Sequence, residues 1–267
     1  MNIVFTGLLA ALFYIAGAGV QLAGVRQKHS YRPIVIGLGL AGLCLHGFVT
    51  WQEIFTTAGV NLALLPMVSL MFFAITAVIL LSSIRRPVEN LMIVLFPLAA
   101  LAVISSAYFH EAHRPTEALT EGFVIHIILS VIAYSLLTIA ALQAALLAFG
   151  DYELRHHRLS VMKNLPPLQT MEGLLFELLW GGLIFLTLSI VTGIVYLGNR
   201  EAAVPGLIHH TVITFAAWVV FAILLWGRHQ LGWRGQTASR WTLSGFALLV
   251  LGYFGSKFVL EIVLGRV

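Results

Sequence analysis

The sequence predicts an all-α fold, a polytopic transmembrane bundle of eight helices. Three observations carry that expectation. First, 60% of the 267 residues are apolar and only 10% are charged, against the roughly 25% charged of a soluble globular domain. Second, mean hydropathy is +0.96. Third, the apolar residues fall into eight long runs, each of about the 20 residues needed to cross a ~30 Å hydrocarbon core. The runs are too continuous for a transmembrane β-barrel, which alternates polar and apolar residues in ~10-residue segments. The composition excludes a secreted domain, a disordered chain and a water-soluble enzyme.

The first run begins at Ile3 without a basic leader and is too long for a signal-peptide core, so it reads as a retained helix. The eight helices are expected at about residues 3–25, 32–50, 61–83, 91–109, 123–149, 173–198, 207–227 and 241–264. Charge marks the connections in turn. Helix 1 runs into Arg26, Lys28 and Arg32, and helix 2 ends near Trp51 and Glu53. Helix 3 meets Arg85 and Arg86, and helix 4 enters the segment HEAHRPTE with Glu111, Arg114 and Glu117. Helix 5 is followed by Arg155, Arg158 and Lys163, helix 6 by Arg200 and Glu201, and helix 7 by Arg228, Arg234 and Arg240. Eleven of the 15 cations therefore follow the odd-numbered helices, and the positive-inside rule places both termini on the outer, periplasmic side of a bacterial inner membrane.

This distribution also explains the net charge of +4 through orientation in the bilayer rather than through nucleic acid, which is not expected as a partner. The expected partner is the lipid bilayer, with Trp51, Trp180, Trp226, Trp233 and Trp241 as interface anchors near helix ends. The single cysteine, Cys44, lies inside an apolar run, so thiol–disulfide exchange through a Cys-x-x-Cys pair is excluded. The connection from Asp151 to Glu172 is the longest and separates helices 1–5 from helices 6–8. Without a convincing internal repeat or low-complexity segment, residues 1–267 read as one integral membrane domain.

Ten histidines in so apolar a chain sort by depth. His29, His156, His157 and His229 belong to basic loops, where a solvated role suffices. His110 and His113 have an H-x-x-H spacing but no third ligand beside them. His46 near the outer end of helix 2, His126 at the start of helix 5, and His209 and His210 at the start of helix 7 share one depth. Polar groups within membrane helices face the bundle interior or a cavity. Convergence of imidazoles there points to a shared ligand, haem rather than zinc, because no HExxH-type helix or carboxylate base accompanies them. Ser130 and Ala133, one and two turns below His126, are small enough for a flat macrocycle to approach the backbone. His209 and His210 are about 100° apart around the helix, so one of them is expected to address a given site. His209 is favoured, because its face continues through Ile213, Ala216 and Ala217, whereas that of His210 meets Thr214 and Trp218. Lys257 is placed to neutralise a haem propionate, or else to pair with Glu261 four residues on. Tyr134 and Gln143 read as interhelical hydrogen-bonding residues.

Four stretches, HIILSVIAYSLLTIAALQAAL from His126, LLFELLWGGLIFLTLSIVTGIVYLG from Leu174, HTVITFAAWVVFAILLWGRHQLGWRG from His210 and SGFALLVLGYFGSKF from Ser244, span helices 5 to 8, about half the chain. Together they resemble the cytochrome c assembly family of haem-handling membrane proteins, in particular its short eight-helix YpjD-like or HemX-like branch. The resemblance implies that His126 matches an outward-side haem ligand of the larger members. Near Leu264-Gly265 the matching second histidine is missing, and residues 199–208 read NREAAVPGLI in place of a tryptophan-rich WGxxWxWD segment. These departures count against the full synthase role, in which haem is presented to apocytochrome c.

The expectation is a haem-binding inner-membrane protein for haem handling or relay linked to cytochrome c assembly. It carries haem b with His126 and His209 as axial ligands and His46 and His210 as alternates. Other haem-handling or cytochrome assembly membrane proteins are its expected partners. No nucleophile, general base or redox thiol accompanies the histidines, so it is not expected to be a self-contained enzyme. The competing reading is a transporter or transporter-partner subunit using Lys257, Glu261 and Glu177 as a polar path. A membrane cytochrome passing electrons to quinone would want two haems with paired histidines on the same helices, which the sequence lacks.

Overall fold

The computed structural model describes residues 2–56, 59–84, 86, 88–109, 121–156, 167–201, 205–255 and 258, without the side chains of 197–201 and 205–209. Eight α-helices follow one another in them: α1 (Ile3–Gln27), α2 (Arg32–Ile54), α3 (Leu64–Ser83), α4 (Glu89–Tyr108), α5 (Glu121–Arg155), α6 (Leu168–Glu201), α7 (Pro205–Leu231) and α8 (Gly235–Val250). Seven of them, α1 to α7, are long and apolar enough to cross a membrane. The stretch expected as helix 8 starts at Gly235, ahead of Trp241, and its α-helical hydrogen bonding gives way at Leu251–Gly255 to a π-helical turn. Its α-helical part ahead of that turn has 16 residues.

The contacts group the chain into two compact units, residues 1–119 and 120–267. In the first, α1 packs on α2 and α4, and α3 packs on α4 and α2. Small residues make these approaches close. A β-carbon at Gly42 would stand 2.8 Å from the Tyr14 ring, and one at Gly39 would stand 2.7 Å from the Phe96 ring, as expected where dispersion rather than water drives helix association. Arg32 ties the loop end of α2 to Glu89 at 2.8 Å and donates to the Ser83 carbonyl at the end of α3. Between α2 and α3 the chain makes a two-stranded antiparallel hairpin, β1 (Phe55–Thr56) and β2 (Gly59–Val60), which the apolar pattern did not announce.

In the second unit α5 packs most extensively on α6 and also on α8, while α7 packs on α6 and α8. Thus α5 belongs with the helices that follow it, and the long connection after Arg155 lies within this unit. α5 has 35 residues and α6 has 34, so at 1.5 Å per residue each spans about 50 Å and projects beyond a hydrocarbon core. Trp180, expected near a helix end, lies well inside α6 and is exposed.

Candidate functional site

The second unit gathers polar groups around His126. This histidine lies in the second turn of α5, and its Nδ1 is 2.9 Å from the Ser189 carbonyl oxygen of α6. A carbonyl only accepts, so Nδ1 carries the proton and Nε2 holds the lone pair of the neutral ring. The Thr192 hydroxyl is 3.3 Å from the same nitrogen. One turn along α5, Ser130 donates to the His126 carbonyl at 2.7 Å and lies 2.6 Å from the Ser189 hydroxyl. These contacts lock the imidazole against α6, where Gly193 leaves room for it: a β-carbon there would stand 3.1 Å from Cε1 of His126.

On α7 the buried positions read Thr214, Ala217, Phe221, Leu224 and Leu225, a stripe at helical spacing whose next member upward is His210. His210 is half-buried. Its ring meets Tyr253 of the π turn edge-on, with centroids 5.7 Å apart, and Tyr253 in turn meets Tyr134 of α5 at 5.8 Å. The π turn displaces the carbonyl pattern of α8, and the Tyr134 hydroxyl donates to the Leu249 carbonyl at 2.9 Å. Such turns often mark functional positions in helices. Gly252 of this turn lies close to Ile213 and Thr214 of α7. The Thr214 hydroxyl is buried with no hydrogen-bond partner among the described residues.

The crowding expected from Trp218 on the face of His210 is not found. Its indole N–H donates to the Thr187 hydroxyl of α6 at 2.8 Å, and its ring stacks on the exposed Phe215. Ala217, assigned from sequence to the face of His209, is fully buried in the stripe of His210. The backbone of His209 belongs to α7, and its side chain lies outside the described residues, as do Lys257, Glu261, His110, His113 and His157. Glu177 is exposed on α6.

His46 lies in the first unit and is fully buried. Its Nδ1 is 3.2 Å from the Tyr14 hydroxyl and its Nε2 is 3.0 Å from the Ser69 hydroxyl. The Thr50 hydroxyl extends the chain at 3.4 Å from Ser69. Both ring nitrogens thus have partners within α1 and α3, the arrangement of a histidine that fastens helices together. Among the described residues no three His, Cys, Asp or Glu side chains gather as a metal site.

The arrangement around His126 fits a haem iron through the chemistry of its donors. A neutral imidazole proton-anchored at Nδ1 directs Nε2 to a metal, and a carbonyl behind it raises the basicity of the ring. A second imidazole, that of His210, is linked to α5 through the rings of Tyr253 and Tyr134. The sequence singled out His126 and favoured His209 over His210, but did not point to the residues that seat His126 and His210. Ser189, Thr192 and Gly193 lie in the SIVTG run, visible as a polar interruption of an apolar helix, and Tyr253 lies in the LGYFG run, visible as an aromatic pair between glycines.

Comparison with known proteins bears on the whole chain. The Inner membrane protein YpjD of Escherichia coli (strain K12) is 30% identical over 259 residues, covering 96% of this chain and 98% of that protein. A 28.8 kDa protein of Azospirillum brasilense encoded in a nifR3-like 5' region is 33% identical over 142 residues, covering 53% of this chain and 52% of its own length. Protein HemX of Brevibacillus brevis is 23% identical over 186 residues, covering 69% of this chain and 64% of its own length. No solved structure matches. With seven apolar spans among the described residues and these relatives, the chain is a multi-pass inner-membrane protein. The family model described as Cytochrome C assembly protein matches residues 36–264, and the chain belongs to that family.

Proposed function

We propose that this chain is a haem-binding protein of the inner membrane that handles or relays haem in cytochrome c assembly, with a b-type haem held in the second unit. The observation that carries this reading is the hydrogen bond of His126 to the Ser189 carbonyl, which sets the tautomer whose Nε2 can ligate iron. His126 would be one residue to hold the haem iron. The second comes from the start of α7, where His210 continues the buried stripe and is preferred over His209. Lys257 is the proposed partner of a propionate. A bound haem would supply an iron centre able to change oxidation state. The chain's part is to hold the imidazoles at fixed tautomer and rotamer and to exclude water with the stripe of Ala217 and Phe221. Both termini are proposed to face the periplasm, which puts His126 in the outer leaflet, and other haem-handling membrane proteins are the proposed partners.

The test is absorption of the purified full-length protein from haem-replete cells. A Soret band is expected, and His126→Ala should abolish or sharply weaken it. His156→Ala, at an exposed residue whose ring bonds the Tyr152 carbonyl of its own helix, should leave it unchanged. A colourless wild-type protein, or equal loss from both variants, would overturn the reading.

A further inference from the structure

At the opposite end of the second unit, where α5 ends and α6 begins, the loop between α7 and α8 builds a cationic seat. The sequence WGRHQLGWRG closes α7 with a glycine turn: Gly232 takes a left-handed conformation at φ 65°, and the Trp233 amide donates to the Gly227 carbonyl at 3.2 Å. The Trp233 indole then lies flat on α7 because Gly227 has no side chain, and a β-carbon there would stand 2.5 Å from the ring. Trp241 of α8 packs against Trp233 with centroids 5.1 Å apart. The turn delivers two guanidinium groups to one carboxylate. Glu172 of α6, itself buried, receives Arg228 at 2.7 Å and Arg234 at 3.2 Å on the same oxygen, Oε1.

Among the described residues, the ion pairs of this turn set two guanidinium groups against one carboxylate. One carboxylate faces Arg228 and Arg234, and exposed Arg240 follows in the first turns of α8. Arg228 is committed on several sides, to Glu172, to the Trp233 carbonyl at 3.3 Å and to the Phe176 ring at 4.5 Å. Arg234 gives Glu172 only its Nε and keeps 61% of its side chain exposed, so its terminal amino groups face outward. The N-cap of α8 has no side-chain hydrogen bond, which leaves first-turn amides beside them as further donors. Exposed Trp226 and the Trp233–Trp241 pair mark this level as the headgroup region, where indoles bridge acyl chains and water.

We infer that Arg234, Arg240 and the start of α8 bind the phosphodiester of an anionic phospholipid, with Trp226, Trp233 and Trp241 against its glycerol and upper acyl region. The occupant is a lipid rather than free phosphate because the cationic groups are bordered by indoles at a membrane end, and a monoanionic phosphodiester matches the surplus charge. Glu172 competes with the lipid for Arg234 and thereby tunes the affinity.

Native mass spectrometry of the detergent-solubilised full-length protein, titrated with phosphatidylglycerol and separately with phosphatidylcholine, tests this. Phosphatidylglycerol should bind selectively, and Arg234→Gln should weaken it about fivefold, the effect of one basic residue at a membrane surface. Glu172→Gln should strengthen it, because Arg234 is then released to the lipid. A purely structural ion pair predicts that these two variants, which break the same contact, change binding alike, and that result would overturn the inference. Arg155→Gln, paired with Asp151 at 3.2 Å at the end of α5, is the control. A loss there equal to that of Arg234→Gln would make the effect one of diffuse charge and overturn the site. Full displacement of the lipid by millimolar inorganic phosphate would reject a lipid in favour of a simple anion.

Discussion

A β-carbon at Gly193 would stand 3.1 Å from Cε1 and 3.4 Å from Nδ1 of His126, so the glycine of α6 sets how closely the imidazole of α5 approaches the Ser189 carbonyl. Gly193→Ala requires the ring to give by a few tenths of an ångström, and Gly193→Val requires more. With the proposed haem in place, the graded expectation is a small Soret shift for alanine and partial conversion to a high-spin spectrum for valine, read by absorption and electron paramagnetic resonance. An unchanged valine spectrum would show that His126 does not ligate in the orientation seen here.

The two histidines that open α7 make different commitments. His210 heads the stripe of Thr214, Ala217 and Phe221 and is held edge-on by Tyr253. Adjacent helical positions diverge by about 100°, so His210→Ala should turn a six-coordinate low-spin haem into a mixed or high-spin one. His209→Ala should leave the spin state unchanged. Haem retention in His210→Ala is expected to persist, because apolar burial still holds the macrocycle. The opposite pattern would return the second ligand to His209.

Much of this was legible in the sequence, because the bilayer requires whole helices of apolar residues and each leaves a run that composition alone reveals. The runs of α1 to α7 were found, with ends displaced where helices outlast the hydrocarbon: α5 continues through the polar Asp151–Arg155 and α6 starts before Glu172. A four-residue pairing such as Phe55↔Val60 and Thr56↔Gly59 has too few residues to show a strand period. His46 and His126 were equally readable as polar residues within apolar helices, but their partners were not. The ring of His46 is joined to Tyr14 and Ser69, 32 and 23 residues away, and only packing brings those hydroxyls to it. For His126 the anchoring acceptor is a backbone carbonyl, which every residue possesses and no side chain advertises.

Topology is testable without a ligand. The odd-numbered connections carry eleven of the 15 cations, and moving so many guanidinium and ammonium groups across the membrane opposes the reverse orientation. Alkaline phosphatase fused after Arg266 is expected to be active, and the same reporter inserted between Arg155 and Lys163 inactive. The reverse result would move His126 to the inner leaflet and remove the periplasmic placement of the proposed haem.

His46 provides the contrast to His126. It is fully buried with a hydroxyl on each ring nitrogen, and an imidazole with both nitrogens engaged has no lone pair left for iron unless one of those bonds breaks. His46→Ala should therefore act on stability. It leaves the Tyr14 and Ser69 hydroxyls without their ring partner in an apolar surround, at about 1–3 kcal/mol for each unsatisfied group, and opens a cavity bordered by Phe73. A loss of several kcal/mol is expected, seen as a lower thermal midpoint in detergent. His46→Gln, which restores a donor and an acceptor, should recover part of it. At temperatures where the variants remain folded, the Soret band should match that of the unsubstituted protein. If instead His46→Ala changes the spin state while the thermal midpoint is unmoved, His46 ligates the iron, and the hydrogen bonds to Tyr14 and Ser69 are those of a haem-free state.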